Sequence, residues 1–181
     1  MPTPPSPDRL AGDRLLCLRT NAWCARTGVL QVFATVSRLG DGIGWYLLMA
    51  AMVLADGVDG LRASAHMAAT GALALLLYTT LKRRTRRPRP FAADVRIRAW
   101  IAPLDEFSFP SGHTLHAVSF SIVALAHYPQ LAWLLLPFTA LVALSRVVLG
   151  LHWPSDVLAA LLIGGGLGAL SLRLGLPLLP G

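Results

Sequence analysis

Four apolar stretches in this chain are each close to the length that a helix needs to cross a lipid bilayer. They are residues 64–81, 113–128, 131–150 and 156–172. A bilayer core takes about 20 apolar residues in a helix, and only helices or closed barrels satisfy every backbone group there. A fifth stretch, residues 39–58, is weaker because Asp41 and Asp56 shorten its apolar part. The pattern predicts an all-α, polytopic membrane helix bundle with five transmembrane helices.

The N-terminal part of the chain has a different character. Residues 10–38 carry four arginines among Leu, Trp, Val and Phe, a mixture that favours one or two interfacial amphipathic helices. A sixth span within residues 22–37 is the alternative. Residues 1–7 are proline-rich with no apolar run behind them, which argues against a cleaved signal peptide. We therefore divide the chain into an N-terminal tail with interfacial helices, residues 1–38, and a membrane-embedded domain, residues 39–181.

The charge of the chain is strongly positive and unevenly placed. Its 181 residues are 55% hydrophobic and carry a net charge of +7, and eight of the sixteen cations lie within residues 82–98. Such a cluster indicates an anionic partner. Nucleic acid is disfavoured, because a basic stretch between membrane spans must face lipid headgroups or a small anionic ligand. Cys17 and Cys24 lack metal-ligand spacing, so they indicate neither a disulfide framework nor a zinc site.

Three polar segments, residues 82–90, 110–113 and 145–156, flank the apolar stretches. The stretch that ends at residue 81 brings the first segment to one membrane face, and the next span starts from that same face. After one crossing and a return, the third segment arrives there too. We therefore expect all three segments at one face, whatever the number of spans before them.

The segment Pro-Ser-Gly-His, residues 110–113, is predicted to open a helix. The first N–H groups of a helix have no internal partners and lie at the positive end of its dipole. Ser111, Gly112 and His113 would therefore form a cradle for an anion such as phosphate. The guanidinium of Arg146, at the end of an apolar helix, suits bidentate binding of phosphate.

His152 and Asp156 are four residues apart, which places them on one face of a helix. A carboxylate bonded to one imidazole nitrogen fixes the tautomer and leaves the other nitrogen free to attack. The pair could therefore act as a nucleophile, His152, and the carboxylate that orients it, Asp156. With His113 as an acid, the site would have the two histidines that phosphoryl transfer through a phosphohistidine requires.

Three motifs follow one another at compatible separations. They are Lys82 followed after six residues by Arg89-Pro90, the unaltered Pro-Ser-Gly-His of residues 110–113, and Ser145-Arg146 followed after five residues by His152 and after three more by Asp156. On these motifs the sequence resembles the type-2 phosphatidic acid phosphatase superfamily. These are integral membrane lipid phosphate phosphatases whose fold is shared by vanadium-dependent haloperoxidases. The resemblance covers residues 39–172.

The resemblance implies a role for each motif residue. His152 would be the nucleophile, Asp156 its orienter and His113 the general acid. The phosphoryl oxygens would be held by Lys82, Arg89, Ser111, Gly112 and Arg146. Positive charge and oriented N–H donors would supply the electrostatic stabilisation, so no metal or other cofactor is implied. Residues 39–181 would then be the phosphatase domain.

We expect an enzyme that hydrolyses a lipid phosphate or lipid pyrophosphate. Candidate substrates are polyprenyl pyrophosphates such as undecaprenyl pyrophosphate, phosphatidic acid and phosphatidylglycerophosphate. A lipid phosphotransferase that uses the same site is one alternative, and a non-catalytic membrane protein that binds anionic lipid is another. Haloperoxidase activity is disfavoured by the many spans and the small size. The sequence names neither the lipid tail nor the oligomeric state.

Two arguments about orientation in the plasma (inner) membrane disagree. The cation-rich loops lie on the side of the site, so the positive-inside rule would place that side in the cytoplasm. The resemblance favours an extracytoplasmic site, as in many bacterial members of the family. Because phosphate binding itself requires some of these cations, we expect the extracytoplasmic face.

The remaining polar and aromatic residues are expected to have ordinary structural roles. Asp105 and Glu106 are interpreted as solvated loop charges, and Arg87 as a headgroup anchor. Trp45 and Trp153, with two further tryptophans, are interpreted as interfacial anchors. Small residues four apart allow helices to approach closely, which predicts tight packing at Gly164 and Gly168.

Overall fold

The computed structural model describes residues 7–174, so the proline-rich tail at residues 1–6 and residues 175–181 lie outside the described part. The α-helices are α1 Pro7–Asn21, α2 Thr27–Arg38, α3 Gly44–Thr85, α4 Pro90–Ala93, α5 Gly112–His127, α6 Ala132–Val148 and α7 Pro154–Arg173. Short 3-10 helices occupy Ala22–Ala25 and Pro129–Leu131, and Leu39–Ile43 is a π-helix. Residues 7–174 contain no β-strand, which confirms the all-α class.

Helix α3 is a hairpin of two limbs that turn at Gly57. This glycine has φ 53° and ψ −116°, a conformation outside the helical region that a side chain would strain. The limbs run antiparallel, since Ser64 Oγ donates to Met49 O over 3.0 Å across the hairpin. A Cβ at Gly60 would overlap Met52 O at 1.9 Å, so the limbs touch backbone to backbone. The hairpin therefore returns the chain to the end at which α3 began.

Helix α5 lies at the centre of the bundle and packs against α3, α6 and α7. Gly164 of α7 lets the α5 backbone approach, since a Cβ there would lie 2.7 Å from Leu115 O. A Cβ at Gly168 would lie 3.0 Å from the side chain of Ile122. The prediction of close helix packing at these two glycines is confirmed.

The bundle exposes many of its apolar side chains to the surroundings. Leu54 is 87% and Leu162 is 79% exposed, as suits side chains that face lipid. Trp45, by contrast, is 2% exposed, and its ring centroid lies 5.4 Å from those of Phe120 and Phe138. Trp153 is also buried. The prediction that both tryptophans are interfacial anchors was wrong, because the helices close over them.

Three helical stretches of the described chain are long and apolar enough to cross a membrane: Thr27–Ala93, Pro129–Val148 and Pro154–Arg173. The first of these contains α2 and both limbs of α3. Helix α5 has 16 residues. At 1.5 Å per residue it is about 24 Å long, short of a bilayer core of about 30 Å. The count of five or six crossings stays a prediction.

The N-terminal helices pack on the ends of α6 and α7. The amide of Asn21 donates to the carbonyl groups of Arg98 and Val148, each over 3.0 Å. Cys17 is fully buried, and its thiol donates to His152 O at 3.6 Å. Helix α1 therefore holds the loops that carry the polar segments. Its placement at the membrane interface stays a prediction.

Candidate active site

A cavity of about 640 Å³ opens between both limbs of α3, α5 and the polar segments. Several ionisable side chains line it: Lys82, Arg89, Asp105, His113, Arg146 and His152. They come from the end of α3, the following loop, the start of α5, the end of α6 and the loop before α7. The structure thus brings the three polar segments together.

The cavity continues as an apolar groove between the limbs of α3 and α5. Ala68, Gly71, Ala72 and Leu75 lie on one face of the second α3 limb, at the spacing of successive helical turns. Lys82 lies two turns beyond Leu75, where this face reaches the polar end. The site therefore has a charged end and an apolar continuation.

Helix α5 opens at the polar end, as its motif predicts. Ser111 is the N-cap, and its Oγ accepts a hydrogen bond from Thr114 N at 3.4 Å and lies 3.0 Å from Thr114 Oγ1. Gly112 lines the cavity, and a Cβ at this position would lie 3.2 Å from the Tyr78 ring. The Ser111 side chain is therefore engaged in capping, while the N–H groups of Gly112 and His113 remain as donors for an anion.

Lys82 and Arg89 converge on one carboxylate, that of Asp105. Lys82 Nζ donates to its two oxygens over 2.8 and 2.9 Å, and Arg89 NH2 donates to Oδ1 over 2.7 Å. Burial raises the pKa of Asp105, but the hydrogen bonds and charges of the two cations outweigh it and hold the pKa below its ordinary value. The interpretation of Asp105 as a solvated loop charge was wrong, because its loop folds back over the cavity.

Arg146 is buried at the end of α6, with 3% of its surface exposed. Its NH1 donates to Ser37 Oγ over 2.5 Å. Among residues 7–174, Arg146 Nε has no hydrogen-bond partner and the guanidinium forms no ion pair. A buried cation without a counter-charge is costly. An anion bound in the cavity would supply both the charge and the missing acceptor.

His152 lies in the loop between α6 and α7 and is held in one tautomer. The prediction that it shares a helix face with Asp156 was wrong, because α7 begins only at Pro154. Its Nδ1 lies 2.6 Å from Ser108 O, and since a carbonyl only accepts, Nδ1 carries the proton. Nε2 lies 3.3 Å from Arg89 NH1 at the cavity wall. Burial, followed by the charges of Arg89, Arg146 and Lys82, lowers the pKa of His152 well below its ordinary value. The imidazole is therefore neutral at neutral pH, and its unprotonated Nε2 accepts a hydrogen bond from Arg89 NH1.

Asp156 lies behind His152 and is fully buried. Its Oδ2 is 3.8 Å from His152 Nδ1 and accepts a hydrogen bond from Trp153 N at 2.9 Å. Its Oδ1 pairs with Arg87 NH1 at 2.5 Å, and Arg87 NH2 donates to Asp13 Oδ2 of α1 over 2.9 Å. The interpretation of Arg87 as a headgroup anchor was wrong, because this side chain turns inward to Asp156.

Arg87 and Arg89 therefore lie on opposite sides of His152. Arg89 NH1 contacts His152 Nε2, whereas Arg87 NH1 binds Asp156, which lies on the Nδ1 side of the ring. Residues that precede proline favour extended backbone, and Arg89 has φ −74° and ψ 157°. Of the two Arg-Pro pairs in this segment, Arg89 thus lines the cavity, whereas Arg87 binds Asp156 behind His152.

His113 faces the cavity from the first turn of α5. Its Nε2 lies 3.3 Å from Asp41 Oδ1, on the π-helix before α3. His116, one turn further along α5, also lines the cavity and lies with Nε2 3.1 Å from Gly71 O. Neither Asp41 nor His116 was predicted from the sequence to be part of the site.

A sequence model of the PAP2 superfamily matches residues 63–177, which is more than half of the chain. The chain belongs to the PAP2 superfamily.

Curated PAP2 relatives are named as lipid phosphatases. The decaprenylphosphoryl-5-phosphoribose phosphatase of Mycolicibacterium smegmatis is 34% identical over 149 residues, or 80% of this chain and 78% of the relative. The undecaprenyl-diphosphatase BcrC of Bacillus subtilis is 37% identical over 86 residues, or 48% of this chain and 44% of the relative. This chain thus matches less than half the length of BcrC.

Two solved structures share the fold. The transmembrane PAP2-type phosphatidylglycerolphosphate phosphatase of Bacillus subtilis superposes with a TM-score of 0.74 at 22% identity, covering 94% of this chain and 88% of that one. LpxE of Aquifex aeolicus superposes with a TM-score of 0.71 at 25% identity, covering 82% and 87%. The helical arrangement is therefore that of membrane PAP2 proteins.

Six of the eight motif residues that were predicted to have a role in the site line the cavity: Lys82, Arg89, Gly112, His113, Arg146 and His152. Ser111 and Asp156 lie just behind it, where they cap helices. The sequence analysis missed Ser108, whose carbonyl is the hydrogen-bond partner of His152 Nδ1. A backbone carbonyl leaves no signal in residue type, so no pattern could have shown it.

Proposed function

We propose that this PAP2 protein hydrolyses the phosphate or pyrophosphate headgroup of a membrane lipid through a phosphohistidine intermediate. The observation that carries the proposal is the neutral His152, whose unprotonated Nε2 lies at the wall of a cavity that Lys82, Arg89 and Arg146 also line and that continues as an apolar groove. The headgroup would lie among these cations and the tail in the groove. A non-catalytic lipid-binding protein would need the cations but not a fixed tautomer.

The reaction would proceed in two displacements. His152 Nε2 attacks phosphorus, and the bond from phosphorus to the leaving oxygen breaks. The leaving oxygen keeps the electron pair of that bond and takes a proton from His113. Water then attacks the phosphohistidine and gives a proton back to His113, so that inorganic phosphate and free imidazole result. The cations and the N–H groups at the start of α5 stabilise the charge on the phosphoryl oxygens. Asp156 would support His152 from behind.

The test is release of inorganic phosphate from short-chain lipid phosphates in detergent micelles with excess chelator. We expect activity in the wild type and none in His152→Ala. His127→Ala is the matched control, because this exposed histidine lies at the opposite end of α5. Full activity of His152→Ala would overturn the nucleophile, and loss of wild-type activity on chelation would overturn the metal-free mechanism.

Relatives named for undecaprenyl and decaprenyl substrates make polyprenyl lipids the first substrates to test. A panel would compare polyprenyl pyrophosphate, phosphatidic acid and phosphatidylglycerophosphate, and we expect the polyprenyl substrate to show the highest kcat/KM. Phosphotransfer uses the same intermediate and would be detected as a phosphorylated product when an acceptor alcohol is added.

We propose that the site faces the extracytoplasmic side of the inner membrane. Val95, in the loop at the site, is 99% exposed, whereas Asp59 lies beside the hairpin turn at the other end of the bundle. In intact cells an impermeant maleimide should label Val95→Cys, and should label Asp59→Cys only after permeabilisation. The native thiols add little background, since Cys17 and Cys24 are buried and burial raises the pKa of Cys17 to about 12. The reverse labelling pattern would place the site in the cytoplasm.

A further inference from the structure

Asp41 belongs to none of the three motifs, yet its carboxylate faces the site. It lies on the π-helix Leu39–Ile43 and lines both the main cavity and a neighbouring one of about 220 Å³. Among the described residues, Asp41 supplies the carboxylate that lies within ion-pair distance of the His113 ring, at 3.3 Å. Histidine and carboxylate therefore form a second pair, across the cavity from His152 and Asp156.

The backbone holds Asp41 at this position firmly. Gly42 interrupts the helix with φ 133° and ψ −45°, a conformation that favours glycine. Gly40 packs so tightly on α6 that a Cβ would lie 2.8 Å from Val142. Trp45 Nε1 donates to Gly40 O over 3.2 Å. The chain next to Asp41 is thus packed and bonded at Gly40, which holds the carboxylate at the cavity wall.

The charges around His113 explain why an acid there needs a carboxylate. The guanidinium of Arg146 faces the same cavity from α6, and His116, one turn along α5, lines it too. Positive charge nearby disfavours the imidazolium form that a general acid must have. A carboxylate at 3.3 Å favours that form and fixes the plane of the ring.

We propose that Asp41 is a positioning residue for the general acid His113, a role that rests on the proposed function. Asp41 binds the ring at Nε2, and the other ring nitrogen delivers the proton to the leaving oxygen. When the bond from phosphorus to that oxygen breaks, the electron pair and the proton of His113 both go to the oxygen. In the second displacement His113 regains a proton from the attacking water, and Asp41 stabilises the imidazolium again.

The test uses two substrates that differ in their need for an acid. An aryl phosphate such as p-nitrophenyl phosphate releases a stable phenolate, whereas a short-chain alkyl phosphate releases an alkoxide that must be protonated. General acid catalysis typically contributes about 100-fold or more. We expect Asp41→Asn to lower kcat about 10- to 100-fold on the alkyl phosphate, with KM nearly unchanged, and to lower it less than about threefold on the aryl phosphate.

Asp59→Asn is the matched control, since Asp59 forms an exposed pair with Arg62 beside the hairpin turn of α3, at the other end of the bundle. His113→Ala should show the same substrate selectivity as Asp41→Asn, and combining the two should add little to His113→Ala alone. Equal losses on both substrates, or additive losses in the double variant, would overturn the role of Asp41. If Asp41→Asn fails to fold, Asp41→Ser is assayed by the same criteria.

The proposed function and this inference fail in different ways. A wild type that releases no phosphate from either substrate, or a fully active His152→Ala, would remove the proposed function. An active wild type and an inactive His152→Ala, together with an unselective Asp41→Asn, would leave the phosphatase in place and remove the role of Asp41 alone.

Discussion

Removal of Arg87 tests whether the ion pair between Arg87 and Asp156, which lies behind His152, contributes to stability and activity. Arg87 NH1 lies 2.5 Å from Asp156 Oδ1, and the side chains are 18% and 0% exposed. Breaking a buried ion pair by removing one partner costs about 3–5 kcal/mol, because a buried charge is left uncompensated. Asp156 keeps its hydrogen bond from Trp153 N, and Arg87 is partly hydrated. We therefore expect Arg87→Gln to lose about 3 kcal/mol of unfolding free energy, at the lower end of that range.

The same substitution should also slow the reaction without touching the substrate. Asp156 lies 3.8 Å from His152 Nδ1, so a shift of the carboxylate disturbs the proposed nucleophile. A misplacement of about 1 Å can cost roughly 100-fold in rate. We expect kcat to fall roughly 10- to 100-fold while KM changes little, because Arg87 does not line the cavity.

The assay is reversible unfolding in mixed micelles of detergent and sodium dodecyl sulfate, together with steady-state phosphate release. Arg84→Gln is the matched control, because it removes an exposed arginine from the same cluster. Combining Arg87→Gln with Asp156→Asn removes both charges, so the double variant should be more stable than the sum of the single losses predicts. Additive losses, or an Arg87→Gln variant within about 0.5 kcal/mol and twofold of the wild type, would refute the reasoning.

Two further predictions concern pH and packing. Because burial and nearby cations lower the pKa of His152, the acid limb of kcat/KM should lie below the ordinary histidine value of about 6.5. Arg89→Gln removes one of these cations and should move the limb to higher pH on the same substrate; an unmoved limb would contradict this account. Gly164→Ala should lose about 1–3 kcal/mol of unfolding free energy through overpacking against α5. Gly165→Ala, with no atom within 4 Å of its new Cβ, should be neutral or more stable by up to about 1 kcal/mol, and equal effects of the two would count against close packing.

The sequence was sufficient to predict a feature of the site where the interacting residues are near in the chain, or where only the order of the membrane spans matters. Asp156 follows His152 by four positions and lies behind it, and Ser111 caps the helix that follows it. Apolar stretches long enough for a bilayer must run as helices, since lipid offers no partner for backbone groups. The number of crossings between Lys82 and Arg146 then predicts that both residues lie at the same end of the bundle.

Only the tertiary structure decided which charges meet. Asp105 pairs with Lys82 across 23 positions, and Arg87 with Asp13 across 74. Asp41 reaches His113 because the π-helix breaks and packs beside α6. The periodicity of apolar residues shows which side chains share a face of one helix. The ion-pair partner of a charged loop residue depends instead on where the packed helices place the loop. The sequence by itself therefore determined the helices and their motif residues, and the packing determined the counter-charges that set their protonation and orientation.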